Sequence, residues 1–315
     1  MWQRLSIVAK MTEDDKMIQG LVSIAIPAYK RKWLSSAIES VLNQDYGNIE
    51  LIIVDDHSPQ NLKEIVEPYL VDKKVSYYYN EKNIGKESVA NNWNKCLEYV
   101  RGEFFVLLCD DDVLMPNFVS ELLCLVQKYP QCNIFHGRRE FYYEEAGTSE
   151  LTESWPEYES FEEFVQAKAE GLRKHTITEF LYRSRSIVKE KYTVFPVGYF
   201  SDDASILKIV KEGGIASSQE PVCKIRMSDE QISHAGRYAV EKVRATLMYY
   251  EWYIASVVPQ KSLLDFKNAI DDWAYSFYRE TTLINKIHIL SIIPNFVWPL
   301  KQKFVLFFNA LFEKR

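Results

Sequence analysis

The chain has 315 residues, with 38 Lys plus Arg against 44 Asp plus Glu, a net charge of -6 and 47% hydrophobic residues. This composition excludes a disordered, collagen-like or low-complexity protein. Proteins that coat nucleic acid neutralise phosphates with Lys and Arg, so the acidic balance predicts no nucleic-acid partner. Five scattered cysteines without a CxxC pair indicate neither a disulfide framework nor a zinc site, and favour a reducing cytoplasm.

Residues 1–20 are interpreted as an N-terminal extension. Their short apolar patch is broken by Lys10 and an acidic run, unlike the long apolar core of a signal peptide.

The first half of the chain alternates strand and helix patterns. The runs VSIAI at 22–26 and LIIV at 51–54 predict buried strands, and LSSAIESVLNQ between them has apolar residues at helical spacing. The pattern continues with helices near 62–70 and 88–100, strands at 75–79 and 104–108, a helix after Pro116 and a strand near 133–136. This alternation predicts an α/β fold, a doubly wound, mostly parallel sheet with helices on both faces.

The second half has a different composition. Residues 144–170 contain nine Glu and one Lys, a charge run interpreted as a solvated insertion or helix face. The mixed stretch that follows completes a domain at 21–235, and residues 236–315 are predicted to form a helical C-terminal region. The chain has no uninterrupted run of about 18 apolar residues, so no membrane-spanning helix is predicted.

The last thirty residues combine apolar, aromatic and basic side chains. Residues 286–315 carry five Lys or Arg and one Glu, a composition that suits a membrane interface and anionic lipid. The alternative is a last helix that packs its apolar side on the protein's own core. The sequence leaves both open.

Polar residues follow three of the predicted strands, where a doubly wound sheet binds its ligands. They are Pro27, Tyr29 and Arg31 after the first strand, Asp55 and Asp56 after the second, and Asp110, Asp111 and Asp112 after the fourth. Carboxylate oxygens suit Mg²⁺ or Mn²⁺, which proteins commonly share with substrate phosphates. The pattern therefore predicts a metal and diphosphate site. Neither a GxGxxG fingerprint nor a Walker A loop is present.

Five motifs in order, VSIAIPAYKR, IELIIVDDHSP, NIG, RGEFFVLLCDDDVLMP and GYFSDDASILKIV, resemble those of glycosyltransferase family 2, the inverting transferases of GT-A fold. The resemblance covers residues 21–226 and not the C-terminal region. It implies transfer of a sugar from a nucleotide-diphosphate donor, expected to be UDP-linked, to a hydroxyl of a glycan or lipid-linked acceptor. Inversion, a role in cell-surface polysaccharide biosynthesis, and a cytoplasmic or peripheral location on the inner face of the cell membrane are further implications.

The resemblance also assigns roles to individual residues. The implied nucleotide-sugar contacts are Pro27, Tyr29, Arg31, Asp55, Asp56, Asn83, Gly85, Asp110 and Arg226. Asp111 and Asp112 would ligate Mg²⁺ or Mn²⁺. Asp202 is the implied catalytic base, because Lys208 matches the Arg that usually follows it, and Asp203 is the alternative. An acidic pair at a helix start is also typical of capping.

Two departures from the family pattern keep other functions open. Cys109 replaces the first carboxylate of the DxD element, so which of Asp110–Asp112 ligate metal is not fixed. The helix after Asn83–Gly85 often carries an Arg in relatives, where this chain has Asn92, Trp93 and Asn94. A non-catalytic homologue that binds sugar nucleotide or glycan is therefore the second hypothesis. A nucleotidyltransferase ranks last, since the chain has no Gly-rich basic loop after its first strand.

Overall fold

The computed structural model describes residues 17–228 and 237–312. Residues 1–16, which make up most of the predicted N-terminal extension, and the last three residues lie outside these ranges. The described strands are β1 (Ile18–Ala28), β2 (Ile49–Asp55), β3 (Val75–Tyr79), β4 (Gly102–Leu107), β5 (Val113–Leu114), β6 (Ile134–Tyr143), β7 (Thr148–Leu151), β8 (Tyr158–Glu159), β9 (Phe180–Arg183) and β10 (Ile215–Met227). The described helices are α1 (Leu34–Leu42), α2 (Leu62–Val66), α3 (Ala90–Leu97), α4 (Phe118–Lys128), α5 (Phe161–Ala169), α6 (Ser184–Glu190), α7 (Ser201–Val210), α8 (Ala239–Ser256), α9 (Lys267–Arg279), α10 (Leu283–Ile292) and α11 (Leu300–Phe312).

The described strands form one sheet in the order β3-β2-β1-β4-β9-β6-β10-β5, with β7 on β6 and β8 on β10. The long ladders, β1 with β2 and β4, β2 with β3, and β6 with β10, are parallel. This confirms the predicted α/β sheet. The short ladders, which include β9 between β4 and β6, are antiparallel. These short strands leave no clear sequence signal, because each ladder spans only a few residues.

Both faces of the central strands are buried, which explains their continuous hydrophobic runs. Along β1, Ile24 packs into a core cluster with α1 and α4, whereas Ala25 packs on the opposite face with α3. Successive side chains of a strand point to opposite faces. Helices therefore cover the sheet on both sides, as predicted, and the strand ends are left as the accessible edge.

The helices α8 to α11 form a third cluster around the fully buried Trp298, so the predicted helical C-terminal region is present. On α11, Ala310 packs into this cluster, while Phe304 is 65% exposed. Ile284 on α10 is 67% exposed. One side of these helices thus packs on the protein's own core, and apolar side chains remain on the other. Within residues 17–228 and 237–312, no helix combines the length and apolar character needed to cross a membrane.

Candidate active site

Hydrogen bonds join the ends of β1, β2 and β4. The Asp110 carboxylate after β4 accepts from the backbone N–H groups of Tyr29, at 2.7 Å, and Lys30, at 2.6 Å, after β1. The Ser58 hydroxyl donates to the Tyr29 carbonyl at 2.6 Å, and the Ser58 N–H donates to Asp55 at 2.8 Å. The structure therefore brings together the three strand ends that the sequence pointed to, and Asp55 supports the loop after β2.

Asp56 holds the segment Asn83–Gly85 beside these strand ends. Its carboxylate accepts from the backbone N–H groups of Ile84 at 2.9 Å and Gly85 at 2.7 Å. A Cβ on Gly85 would lie 2.6 Å from Asp56 Oδ2, so this close approach requires glycine. The buried Asn83 Oδ1 has no hydrogen-bond partner among the described residues. The end of β2 and the segment Asn83–Gly85 are thus held side by side.

Pro27, Tyr29 and Arg31 lie at the rim of this edge. Tyr29 is 40% exposed. The Arg31 guanidinium donates to the Asn61 carbonyl at 2.8 Å and pairs with Glu64 at 3.1 Å. Contact of these three residues with a nucleotide stays a prediction.

The turn after β4 carries a buried acidic cluster. One ligand atom from each of Cys109, Asp111 and Asp112 lies within 4.8 Å of the others. Asp112 accepts from the Thr178 hydroxyl at 2.7 Å and from the Arg226 N–H at 3.1 Å. Burial, followed by the charge of Asp111, raises the pKa of Asp112, and burial also raises the pKa of the Cys109 thiol. Hard carboxylate oxygens in a site that penalises their charge fit a divalent cation, and Asp111 and Asp112 are the residues that would hold Mg²⁺ or Mn²⁺.

Lys30 is a site residue that sequence reasoning missed. Its ammonium contacts the Asp111 carboxylate directly and lies 3.8 Å from Asp110. Burial alone would lower the pKa of Lys30, but Asp111 and Asp110 raise it instead. The lysine therefore offsets part of the acidic charge. Its position between Tyr29 and Arg31, directly after a strand, was the available signal.

Arg226, which lies on β10, holds the acidic turn by hydrogen bonds. Its Nε donates to the Asp111 carbonyl at 3.2 Å, its Nη1 pairs with Glu144 at 2.9 Å, and its guanidinium lies 5.0 Å from the Trp33 ring.

Glu144 is the first residue of the acidic stretch, for which the sequence predicts a solvated insertion or helix face. That interpretation is wrong for Glu159, which is buried and pairs with Arg173 at 2.8 Å.

The predicted catalytic pair forms a second cluster at the start of α7. Asp203 pairs with Lys168 of α5 at 2.5 Å, and His175 Nε2 lies 3.8 Å from both Asp202 and Asp203. The sequence motifs did not predict Lys168 and His175, because nothing in residues 168–175 marks which side chains fold back onto α7. Lys208, which had singled out Asp202, donates instead to the carbonyls of Glu190 and Lys191 at 2.8 and 3.0 Å.

The two carboxylates of this pair differ in their surroundings. Burial and the charge of Asp203 raise the pKa of Asp202. Burial alone would raise the pKa of Asp203 as well. The positive charge of Lys168 and its hydrogen bond outweigh burial and lower the pKa of Asp203. Burial and Lys168 lower the pKa of His175 to about 3, so this imidazole is neutral near pH 7. Asp203 is thus held as an ion-paired carboxylate, whereas the surroundings of Asp202 favour its protonated form.

Both clusters line one cavity of about 770 Å³. The segment His175–Thr178 connects them, since its first residue faces Asp202 and Asp203 and its last donates to Asp112. A 3₁₀ turn at Ile177–Glu179 fixes the segment: Glu179 accepts from the Thr176 N–H at 2.8 Å and from Arg139 at 2.7 Å. One cavity therefore presents a candidate cation site and a candidate base.

Comparison with known sequences decides the family. The profile described as "Glycosyl transferase family 2" matches residues 23–190, more than half of the chain. The chain belongs to glycosyl transferase family 2. A similar curated protein is the GalNAc(5)-diNAcBac-PP-undecaprenol beta-1,3-glucosyltransferase of Campylobacter jejuni, 33% identical over 104 residues, which are 32% of this chain and 33% of that protein. The matched segment spans about a third of the length of this and other curated relatives.

Solved structures show the fold over nearly the whole chain. S. aureus TarS in complex with UDP-GlcNAc matches with a TM-score of 0.56 at 13% identity, covering 92% of this chain and 90% of that one. The mannosyltransferase PcManGT from Pyrobaculum calidifontis, in complex with GDP-Man and Mn²⁺, matches with a TM-score of 0.55 at 13% identity, covering 93% and 88%. The predicted GT-A fold is confirmed, and the structural likeness covers more than nine-tenths of the chain.

Proposed function

We propose that this chain transfers a sugar from a nucleoside-diphosphate donor, with UDP-linked sugars as the first candidates, to an acceptor hydroxyl with inversion. The proposal rests on a cavity that is lined both by Asp111 and Asp112 and by Asp202 and Asp203. Such a transfer needs a group that stabilises the leaving diphosphate and a base for the acceptor proton.

The donor is placed at the edge formed by the ends of β1, β2 and β4, which adjoins the cavity through Lys30. Tyr29, Asp56 and the segment Asn83–Gly85 would hold the nucleoside, while Lys30 and Arg226 supply positive charge next to the acidic turn. Asp111 and Asp112 would hold Mg²⁺ or Mn²⁺. A bound divalent ion offsets the negative charge that develops on a leaving diphosphate.

Asp202 is proposed as the general base. In its deprotonated form it accepts the proton of the acceptor hydroxyl as that oxygen attacks the anomeric carbon from the face opposite the leaving group. Asp203 is already ion-paired with Lys168, which makes it the less available of the two. Lys168 and His175 then act as positioning residues that hold Asp203 in place and line the cavity beside it.

The acceptor is proposed to be a glycan or a lipid-linked saccharide in cell-surface polysaccharide synthesis. The name of the C. jejuni relative specifies an undecaprenol-linked saccharide, and this supports the class. Five described cysteines are free, which supports a reducing cytoplasmic location. Release of nucleoside diphosphate from UDP-sugars with Mn²⁺ tests the reaction. A protein that binds the donor but releases no nucleoside diphosphate would be the non-catalytic homologue.

Replacing Lys168 with Met is expected to move the acid limb of the pH–rate profile to higher pH. Without the cation that lowers the pKa of Asp203, the two carboxylates retain a shared proton at higher pH, so the base form of Asp202 is lost earlier as pH falls. Tyr182, Tyr199 and Tyr249 also face the pair, and burial raises the pKa of each, so they stay neutral. Initial rates of diphosphate release between pH 5 and 9 measure the shift.

Two matched variants accompany this measurement. Lys168→Arg keeps the positive charge and should keep the wild-type profile, and Lys189→Met removes an exposed lysine paired with Glu190 and should leave it unchanged. An acid limb at the same pH in Lys168→Met and in the wild type would contradict the positioning role.

We further propose that the exposed sides of α10 and α11 rest on an anionic membrane surface. Replacing Phe304 with Glu is expected to weaken binding to phosphatidylglycerol vesicles by about tenfold or more, because a buried Phe side chain contributes about 1.5–3 kcal/mol. Gln302→Glu makes a similar charge change at an exposed position of the same helix and should bind more tightly than Phe304→Glu. Vesicle sedimentation measures both, and equal binding of wild type and Phe304→Glu would reject the proposal.

A further inference from the structure

The C-terminal helices form one wall of the cavity. From α8 come Tyr249, Tyr250 and Tyr253, and from α9 come Asp272 and Trp273. Tyr253 lies four and three residues after the other two tyrosines, and Ala269, which also lines the cavity, lies three and four residues before Asp272 and Trp273. Residues three or four apart share one face of a helix, so each helix turns a single face toward the cavity. The family profile ends at residue 190, and this wall therefore lies beyond the segment that the family match covers.

A conformationally unusual turn ties this wall to the predicted base. Val197 and Phe200 have φ values of 51° and 63°, a left-handed conformation that is unfavourable for β-branched and bulky residues and tends to occur at functional sites. The Val197 N–H donates to the Glu87 carbonyl at 2.7 Å, and the Phe200 ring stacks on Tyr249 at 4.5 Å with an interplanar angle of 12°. The turn is thereby fixed immediately before Asp202.

Trp273 is the exposed aromatic residue of the wall. Its ring centroid lies 5.6 Å from Phe200 and 5.9 Å from Tyr199, in nearly perpendicular arrangements, and 39% of the residue is exposed. It lines the cavity, and on its inner side its ring lies 5.9 Å from the ring of Phe277 in the core of the C-terminal helices. An apolar ring surface is thus accessible next to the site of proton transfer.

The charges around the wall restrict what can occupy it. Asp202, Asp203 and Asp272 line the cavity. Of the three lysines that also line it, Lys30 is paired with Asp111 and Lys168 with Asp203, while Lys174 is exposed. Clustered carboxylates disfavour a phosphate beside them. Aromatic faces with adjacent hydrogen-bond acceptors suit a sugar ring, which presents C–H groups on one face and hydroxyls at its edge.

We propose that Trp273, Phe200 and Tyr250 form, with Asp272, an acceptor subsite for a neutral saccharide ring. The ring packs on the aromatic side chains, its hydroxyls donate to Asp272, and its reacting hydroxyl points to Asp202. This subsite rests on the proposed function for its role in transfer, but its chemistry can be measured by binding alone.

The test is binding of the purified protein to an array of immobilised neutral oligosaccharides, with UDP and Mn²⁺ and also without nucleotide. The wild type is expected to bind at least one saccharide. Trp273→Ala should raise its half-saturating concentration by about tenfold or more, and Trp273→Phe should recover part of the loss. Tyr275→Ala removes another exposed aromatic residue of α9 that does not line the cavity and should bind as the wild type does. UDP affinity by calorimetry verifies that each variant is folded.

Two results would overturn the subsite. One is equal saccharide binding by Trp273→Ala and the wild type. The other is a wild type that binds no saccharide on the array, including one that instead binds vesicles containing undecaprenyl phosphate. Failure of the wild type to bind UDP would contradict the proposed function instead, and the array without nucleotide would still decide the subsite.

Discussion

Replacing Asp202 with Asn is expected to lower sugar transfer by about 10²- to 10⁴-fold, the usual contribution of a general base. Asparagine keeps the size of the side chain and can still accept from the Asp203 N–H, as Asp202 does at 3.0 Å, but it cannot take up a proton at neutral pH. The loss should appear in the rate of transfer at saturating donor, while the affinity for UDP measured by calorimetry stays within about twofold of the wild type.

Asp203→Asn separates the two candidates for the base. This change breaks the ion pair with Lys168 and removes the neighbouring charge that contributes to the raised pKa of Asp202. It should therefore move the acid limb of the pH–rate profile to lower pH and retain most of the transfer rate at pH 8. A larger loss of rate at pH 8 in Asp203→Asn than in Asp202→Asn would contradict the assignment and identify Asp203 as the base.

Replacing Asp111 with Asn is expected to reduce transfer at least about 100-fold and to abolish measurable Mn²⁺ binding in the presence of UDP. One hard anionic ligand is lost from a site in which few are available, and charge stabilisation of a leaving diphosphate by a metal contributes several kcal/mol. Free Mn²⁺ measured by electron paramagnetic resonance reports the binding directly, without relying on activity.

Glu150→Gln in the exposed strand β7 is the matched control, since it removes a carboxylate that lies outside the cavity lining. Its Mn²⁺ binding should equal that of the wild type. The thermal unfolding midpoint of Asp111→Asn should not fall greatly, because Lys30 keeps Asp110 as a partner. Undiminished Mn²⁺ binding by Asp111→Asn would assign the ion to other residues, with Asp112 and Cys109 as the nearest.

The first part of the fold and the meeting of the three strand ends could be predicted because they depend on local sequence patterns. Hydrophobic runs such as Leu51–Val54 mark buried strands, and parallel strands bring the residues after their carboxyl ends to one edge of the sheet. This rule alone predicts that Asp55, Asp56 and Asp110 lie at one edge. The hydrogen bonds from the Tyr29 N–H to Asp110 and from the Ser58 N–H to Asp55 hold that edge in place.

Lys168, His175 and Thr178 could not be predicted, since their positions depend on how the segment after β6 returns across the sheet. The acidic stretch has no periodicity that distinguishes the solvated Glu162 from the buried Glu159. The turn at Ile177–Glu179 is fixed by a buried pair between Glu179 and Arg139, forty residues apart. Long-range pairings of this kind leave no local signal in a single sequence.

Release of nucleoside diphosphate from UDP-sugars and GDP-mannose, measured with Mn²⁺ or with EDTA in the wild type and in Asp111→Asn, tests the proposed function most directly. We expect the wild type to release diphosphate from at least one donor with Mn²⁺, to lose this activity with EDTA, and Asp111→Asn to release little under either condition. A wild type that binds UDP with Mn²⁺ yet releases diphosphate from no donor, or one that is equally active with EDTA, would contradict a metal-assisted sugar transferase.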